Sequence, residues 1–135
     1  MIAKVVIETS GQGLMAITRE INQLVADNCS GDGLCTLFIR HTSASLLVQE
    51  NYDISAQRDL EAWLNRLVPE GDALYSHTLE GADDMPAHIN AMLTAVSIGI
   101  PIIDGQLALG VWQGVYLWEH RHGRQRREII VHFSS

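Results

Sequence analysis

The chain has 135 residues, the size of one globular domain, and its 47% hydrophobic content can build a core without disulfides or structural metal. A formal charge of −7 argues against general nucleic-acid binding, which draws its affinity from phosphate neutralisation by Lys and Arg. No apolar run approaches the roughly 18 residues of a membrane span, so neither nucleic acid nor membrane is expected as a partner, and a small molecule or a metal ion is.

The opening Met1-Ile-Ala-Lys-Val-Val-Ile lacks the positive patch, apolar stretch and small-residue cleavage site of a secretory leader, which makes a cytoplasmic location the expectation. The β-branched run Val5-Val6-Ile7 predicts a strand over Lys4 to Glu8, stopped by Thr9-Ser10-Gly11. From Leu14, the residues Ile17, Ile21, Leu24 and Val25 recur at three or four and predict a helix ending near Asn28. Cys29 and Cys35 are too few for a disulfide framework and are not spaced as CxxC, so they read as free thiols of a reducing cytosol. After the Ser30-Gly-Asp-Gly33 turn, Leu34 to His41 is apolar on both faces, the pattern of a buried central strand with His41 at its end. Leu46-Leu-Val48 is a further short strand.

Asp53 is placed to cap a second helix, with Gln57 near the capping-box position and Ala56, Leu60, Trp63, Leu64 and Leu67 as its buried stripe, ended by Pro69-Glu-Gly71. Pro86 near a helix start, followed by Ile89, Leu93 and Val96, predicts a third helix over Met85 to Ser97. Three strands close the chain, over Ile100 to Ile103, Ala108 to Glu119 and Arg127 to Phe133. Strands and helices do not alternate as in a parallel sheet. The expected fold is therefore a single α+β domain, a mixed or antiparallel β-sheet sandwich with helices packed on one side.

Neither a phosphate-binding GxxxxGK[ST] loop nor GxSxG, HExxH or a CxxC pair is present, which removes the commonest enzyme classes. What remains is a concentration of His41, Glu50, Asp53, His77, Glu80, Asp83, Asp84, His88, Glu119 and His120. Imidazole and carboxylate are natural ligands of zinc and similar divalent ions, and three protein ligands suffice for a catalytic site. His88 in the first turn of a helix would be kept neutral by the positive end of the dipole, His77 lies in an acidic loop, and His41 ends a strand. In the penultimate strand Trp112, Tyr116, Trp118 and His120 share one face, and Trp112 and Gln113 are candidates to wall a pocket opening toward Glu119. Arg121, Arg124, Arg126 and Arg127 bunch near the end, either as a solvated hairpin turn or as a phosphate grip, with Arg121 and Arg127 the favoured pair.

The succession His41-Thr-Ser-Ala-Ser45, Glu50-Asn51 with Asp53, His77, Glu80-Gly-Ala-Asp-Asp-Met-Pro-Ala-His88, Ser97, Gly105, Gly110-Val-Trp-Gln-Gly114 and Trp118-Glu-His-Arg121 resembles the YjbQ-like family, labelled secondary thiamine-phosphate synthases, over nearly the whole chain. The resemblance implies a homotrimer with a divalent metal, zinc first and magnesium second, bound by histidines that fall here on His41, His77 and His88. It further implies an enzyme acting on a small phosphorylated molecule by joining a hydroxymethylpyrimidine diphosphate to a thiazole phosphate. In that setting Glu50, Asp53 or Glu119 would orient ligands or move protons, while Ser43, Asn51, Trp112, Gln113, Arg121 and Arg127 would contact substrate. A non-catalytic trimer that binds metal or a small ligand is the competing reading. Val111 departs from the family's Gly-Thr-Trp-Gln pattern, where a threonine stands.

Overall fold

The computed structural model describes residues 1–134, and the chain folds as two antiparallel sheets with three helices. The elements in order are β1 (Ile2–Thr9), β2 (Gly13–Ala16), α1 (Thr18–Asn28), β3 (Gly33–Ile39), β4 (Ala44–Glu50), α2 (Ile54–Leu67), α3 (Asp84–Leu93), β5 (Ser97–Ile103), β6 (Gln106–Leu107), β7 (Gln113–Glu119) and β8 (Gln125–Ser134). One sheet runs β1-β8-β3-β5-β6 and the other β2-β7-β4. Every pairing is antiparallel, so of the two expected alternatives the antiparallel sheet is the one formed.

The core lies between the sheets. Ile7, Leu37, Ile39, Ile129 and Val131 from the five-stranded sheet meet Leu46, Val115 and Leu117 from the three-stranded one. Helix α1 touches both β6 and β7 and inserts Ile21 and Val25 between the layers. Helices α2 and α3 pack on β2 and β4, so the three-stranded sheet is covered on both faces.

That cover decides which strand is central. Residues Gly114 to His120 are all buried, with Tyr116, Trp118 and His120 turned toward the helices. The doubly buried strand is thus β7, not β3 as its apolar sequence predicts. The outer face of β3 lies open, with Leu34 and Phe38 42% and 48% exposed. The same openness affects α2, where Leu64 is buried but Trp63 and Leu67 of the predicted stripe face outward.

Most strands run a few residues beyond the pattern reading, the short β6 is not among the expected strands, and three boundaries change the type of structure. Gly13–Ala16 is a strand paired with β7 rather than the first turn of α1. Helix α3 ends at Leu93 instead of Ser97, because Ala95 bridges to Leu46 and Ser97 already pairs with Phe38. Residues 108–112 form a loop before β7, which Gln113 holds by accepting the Gly110 N–H at 2.7 Å on its side-chain oxygen.

Candidate metal centre

Helix α3 begins at Asp84, where a carboxylate suits the positive end of the helix dipole. His88 stands one turn later, on the same face. The irregular segment 68–83 returns His77 to this helix start. The result is a cluster of His77, Asp84 and His88 whose ligand atoms all lie within 4.8 Å of one another. Asp84 Oδ2 sits 2.7 Å from His77 Nε2 and 3.1 Å from His88 Nε2.

The surrounding bonds fix how these groups face. His88 Nδ1 lies 2.9 Å from the carbonyl oxygen of Thr42, which can only accept, so Nδ1 carries the proton. In the neutral ring Nε2 is then a bare lone pair, and it points at a carboxylate oxygen that also only accepts. Two acceptors at this distance call for a cation between or beside them, or a proton on the ring. An N–H held by a backbone carbonyl while the other nitrogen faces inward is also the usual arrangement around a ligating histidine. Asp84 is 4% exposed, and its second oxygen accepts Arg121 Nη1 at 2.8 Å. Burial opposes its charge, but the bond from His77 and the positive charge of Arg121 hold the carboxyl below its ordinary value. The donor set of two imidazoles and one carboxylate suits zinc better than magnesium.

His41 is not brought into this cluster. Its Nε2 accepts the Glu128 backbone N–H at 2.7 Å, which commits that nitrogen to β8. Arg121 lies beside the cluster but is spent on it: Nε donates to Asp83 Oδ2 at 2.9 Å and Nη2 to the Glu80 carbonyl at 2.9 Å, besides the bond to Asp84. Its role here is to tie the 80–84 segment to the β7–β8 turn. Arg127 is 3% exposed and donates to both Glu119 oxygens and to Ser43 Oγ at 3.0 Å. Glu119 in turn accepts from Thr9 Oγ1 at 2.6 Å and the Arg121 backbone N–H at 3.1 Å. Burial opposes the charge of Glu119 as well, yet Arg127 and Thr9 keep its carboxyl low. Glu119, Arg127 and Ser43 therefore form one buried polar network rather than a substrate-facing wall.

The remaining candidates are dispersed. Asp53 caps α2 by accepting the Ser55 N–H at 2.9 Å. The Glu50 backbone carbonyl accepts the Tyr116 hydroxyl, while Asn51 Nδ2 donates to the Gln113 carbonyl at 3.0 Å. Trp112 stacks edge-on against exposed Tyr52, with centroids 5.2 Å apart, and Val111 is exposed on the same loop. The carboxylate that joins His77 and His88 is Asp84, one of the acidic residues of the concentration noted in the sequence. Its four-residue spacing from His88 on a helix is the signal that identifies it.

His120 lies behind the centre, buried, with Nε2 2.9 Å from Ser45 Oγ. Burial pushes its pKa down to about 4, against an unfolded value near 6.5. The unfolded chain therefore binds a proton in this window that the native chain refuses, so stability should fall as pH drops from about 6.5 toward 4 and flatten below. Urea unfolding across that range should show a loss of about 3 kcal/mol that His120→Gln abolishes. An identical pH slope in wild type and variant would refute this assignment.

The relatives of this chain agree with its fold. A protein-family model described as UPF0047 protein YjbQ-like matches residues 3–135. A UPF0047 protein of Synechocystis is 50% identical over 130 residues, covering 96% of this chain and 88% of its own. YjbQ of Escherichia coli O157:H7 is 40% identical, covering 93% and 91%. Among solved structures, a conserved hypothetical protein of Thermus thermophilus superposes with a TM-score of 0.87 at 32% identity, covering 98% of this chain and 99% of that one. A YjbQ/UPF0047 protein of Clostridium acetobutylicum gives 0.88 at 33%, with the same coverage. With a family model spanning nearly all of it and relatives this similar, the chain belongs to the YjbQ-like UPF0047 family.

Proposed function

We propose that the chain is a divalent-metal enzyme acting on a small phosphorylated metabolite, with zinc held by His77, Asp84 and His88. The observation that carries this reading is the inward-facing His88 Nε2, fixed by the Thr42 carbonyl and directed at Asp84. A divalent ion there would supply Lewis acidity toward a phosphoryl oxygen. Asp84 takes the place that the family resemblance gave to His41, and Arg121 orients it. Joining a hydroxymethylpyrimidine diphosphate to a thiazole phosphate, the reaction implied by the resemblance, belongs to this class. Because Arg121 and Arg127 are committed to carboxylates, the ion is the proposed phosphate holder.

We further propose a homotrimer in the cytoplasm. The open apolar face of the five-stranded sheet, with Ile2, Leu34 and Phe38 exposed, is a surface that association would cover. Free Cys29 and Cys35 fit a reducing compartment, as burial and the neighbouring Cys29 push the Cys35 thiol up to about 11. No helix among the described residues is long and apolar enough to cross a membrane.

A second reading, a trimer that binds metal or a small ligand without transforming it, is favoured by one observation: Asp53 and Glu119 are already bonded elsewhere, leaving neither free as a base. Metal analysis, light scattering and turnover of a phosphorylated-metabolite mixture should give stoichiometric zinc, about three times the 14.9 kDa chain mass, and zinc-dependent product. Zinc without turnover would select the binding module. Absence of metal affinity would remove the metal enzyme and leave only a module that binds a small ligand.

A further inference from the structure

Helix α3 works on two sides. Asp84 and His88 face the metal cluster, whereas Pro86 and Asn90, displaced by two residues and hence by about 200° around the axis, face a different space. That space is a groove of about 350 Å3 between the end of α2 and the start of α3, with Val68, Pro69 and Pro86 as its apolar wall and with Glu70 and His122, paired at 2.5 Å through Oε1 and Nε2, on its lining. It adjoins a chamber of about 20 Å3 formed where Glu61, Leu64, Trp118 and His120 meet. Gln12, Asn65 and Asn90 line both.

Asn90 is 2% exposed, and its Oδ1 is the one buried side-chain polar atom among the described residues that no protein group bonds. Leaving such an acceptor unmet inside the protein is unfavourable, so a donor is expected to reach it. Beside it, the Glu61 carboxylate folds over Gly13, where an added Cβ would come within 2.7 Å of Oε2. Among the described residues, no lysine or arginine lines either space. Two acceptor groups, one of them anionic, thus line a chamber of about one water's size that no lysine or arginine enters.

We propose that this chamber binds the ammonium head of a small primary amine, whose organic tail lies along the apolar wall of the groove. An ammonium brings three donors and no acceptor, which suits Asn90 Oδ1 and Glu61, and the Glu61 carboxylate offsets its charge, since Glu70 is already paired with His122. His120 does not oppose it, because its ring is turned to Ser45 and burial keeps it neutral. The site is separate from the metal centre and stands whether or not that centre holds zinc.

The test is a titration of n-butylammonium into the full-length, 15N-labelled protein, followed on the side-chain amide signals of Asn90, Asn65 and Gln12. Saturable shifts are expected with n-butylammonium, while n-butanol and butyltrimethylammonium, which lack the ammonium N–H donors, should bind at least about tenfold more weakly. Asn90→Leu should weaken the amine by about tenfold. Its fold is checked by circular dichroism, and should it fail to fold, Glu61→Gln supplies the test with a several-fold loss. No saturable shift, equal binding of the quaternary or alcohol probe, or wild-type affinity in the folded variants overturns the proposal.

Discussion

Replacing Asp84 with alanine should lower zinc affinity by about tenfold or more, read by calorimetric titration at neutral pH. The carboxylate holds a position between two imidazole nitrogens, 2.7 and 3.1 Å away, so its loss removes both a ligand and the anchor that aligns His77 with His88. His88→Ala should do the same, since the Thr42 carbonyl then has no ring to orient. Arg121→Gln should cost less, as it leaves His77, Asp84 and His88 in place and removes only the bond to Asp84 Oδ1. His41→Ala is the discriminating control. Its Nε2 is taken by the Glu128 N–H, so zinc affinity should stay at the wild-type value. A large loss in His41→Ala with little change in Asp84→Ala would reverse the assignment.

Glu119→Gln should be strongly destabilising. Arg127 is almost fully buried, and its guanidinium would then lack the carboxylate that both its Nε and Nη2 address. Removing one partner of a buried ion pair costs about 3–5 kcal/mol, because the other charge stays buried and unpaired. For a chain of this size that lowers the melting temperature by about 10–18 °C. Replacing both residues with apolar ones of similar volume, as in Glu119→Leu with Arg127→Met, should restore much of the loss, a comparison that separates pairing from packing. Wild-type melting in Glu119→Gln would show the pair to be energetically idle.

How much of this was legible in the sequence varies by element. The stripe of Ile17, Ile21 and Val25 marks α1 correctly because its packing into the core follows the helical period. By contrast Gly13–Ala16 is four residues long and runs directly into that helix, so local pattern cannot separate it from a first turn; its pairing with β7, about a hundred residues away in sequence, makes it a strand. The apolar run of β3 suggests cover on both faces, yet cover depends on where helices land, and they land on the other sheet. At the site, His77 and His88 were recognisable as residue types in an acidic neighbourhood, and the structure brings them together. Asp84 was visible only as one of a pair of aspartates. Which of the two turns inward is set by the N-terminal geometry of α3 and by the grip of Arg121. The arginines illustrate the converse limit: their spacing shows charge near a strand end, but not that buried carboxylates already claim it.

The strand order carries a consequence for how the chain reaches this state. Strand β8 lies between β1 and β3, pairing Ile2 with His132 on one side and Ile39 with Ile129 on the other. Until residues 125–134 have emerged from the ribosome, β1 and β3 have no partner between them, and each carries an unsatisfied edge. The five-stranded sheet therefore closes only once β8, the last of its strands to be made, is available, through contacts between distant parts of the chain, which places folding in the slow class of antiparallel β proteins. During that interval the apolar β1 and β3 are the segments most open to pairing with another nascent copy, and chaperone occupancy should concentrate on them.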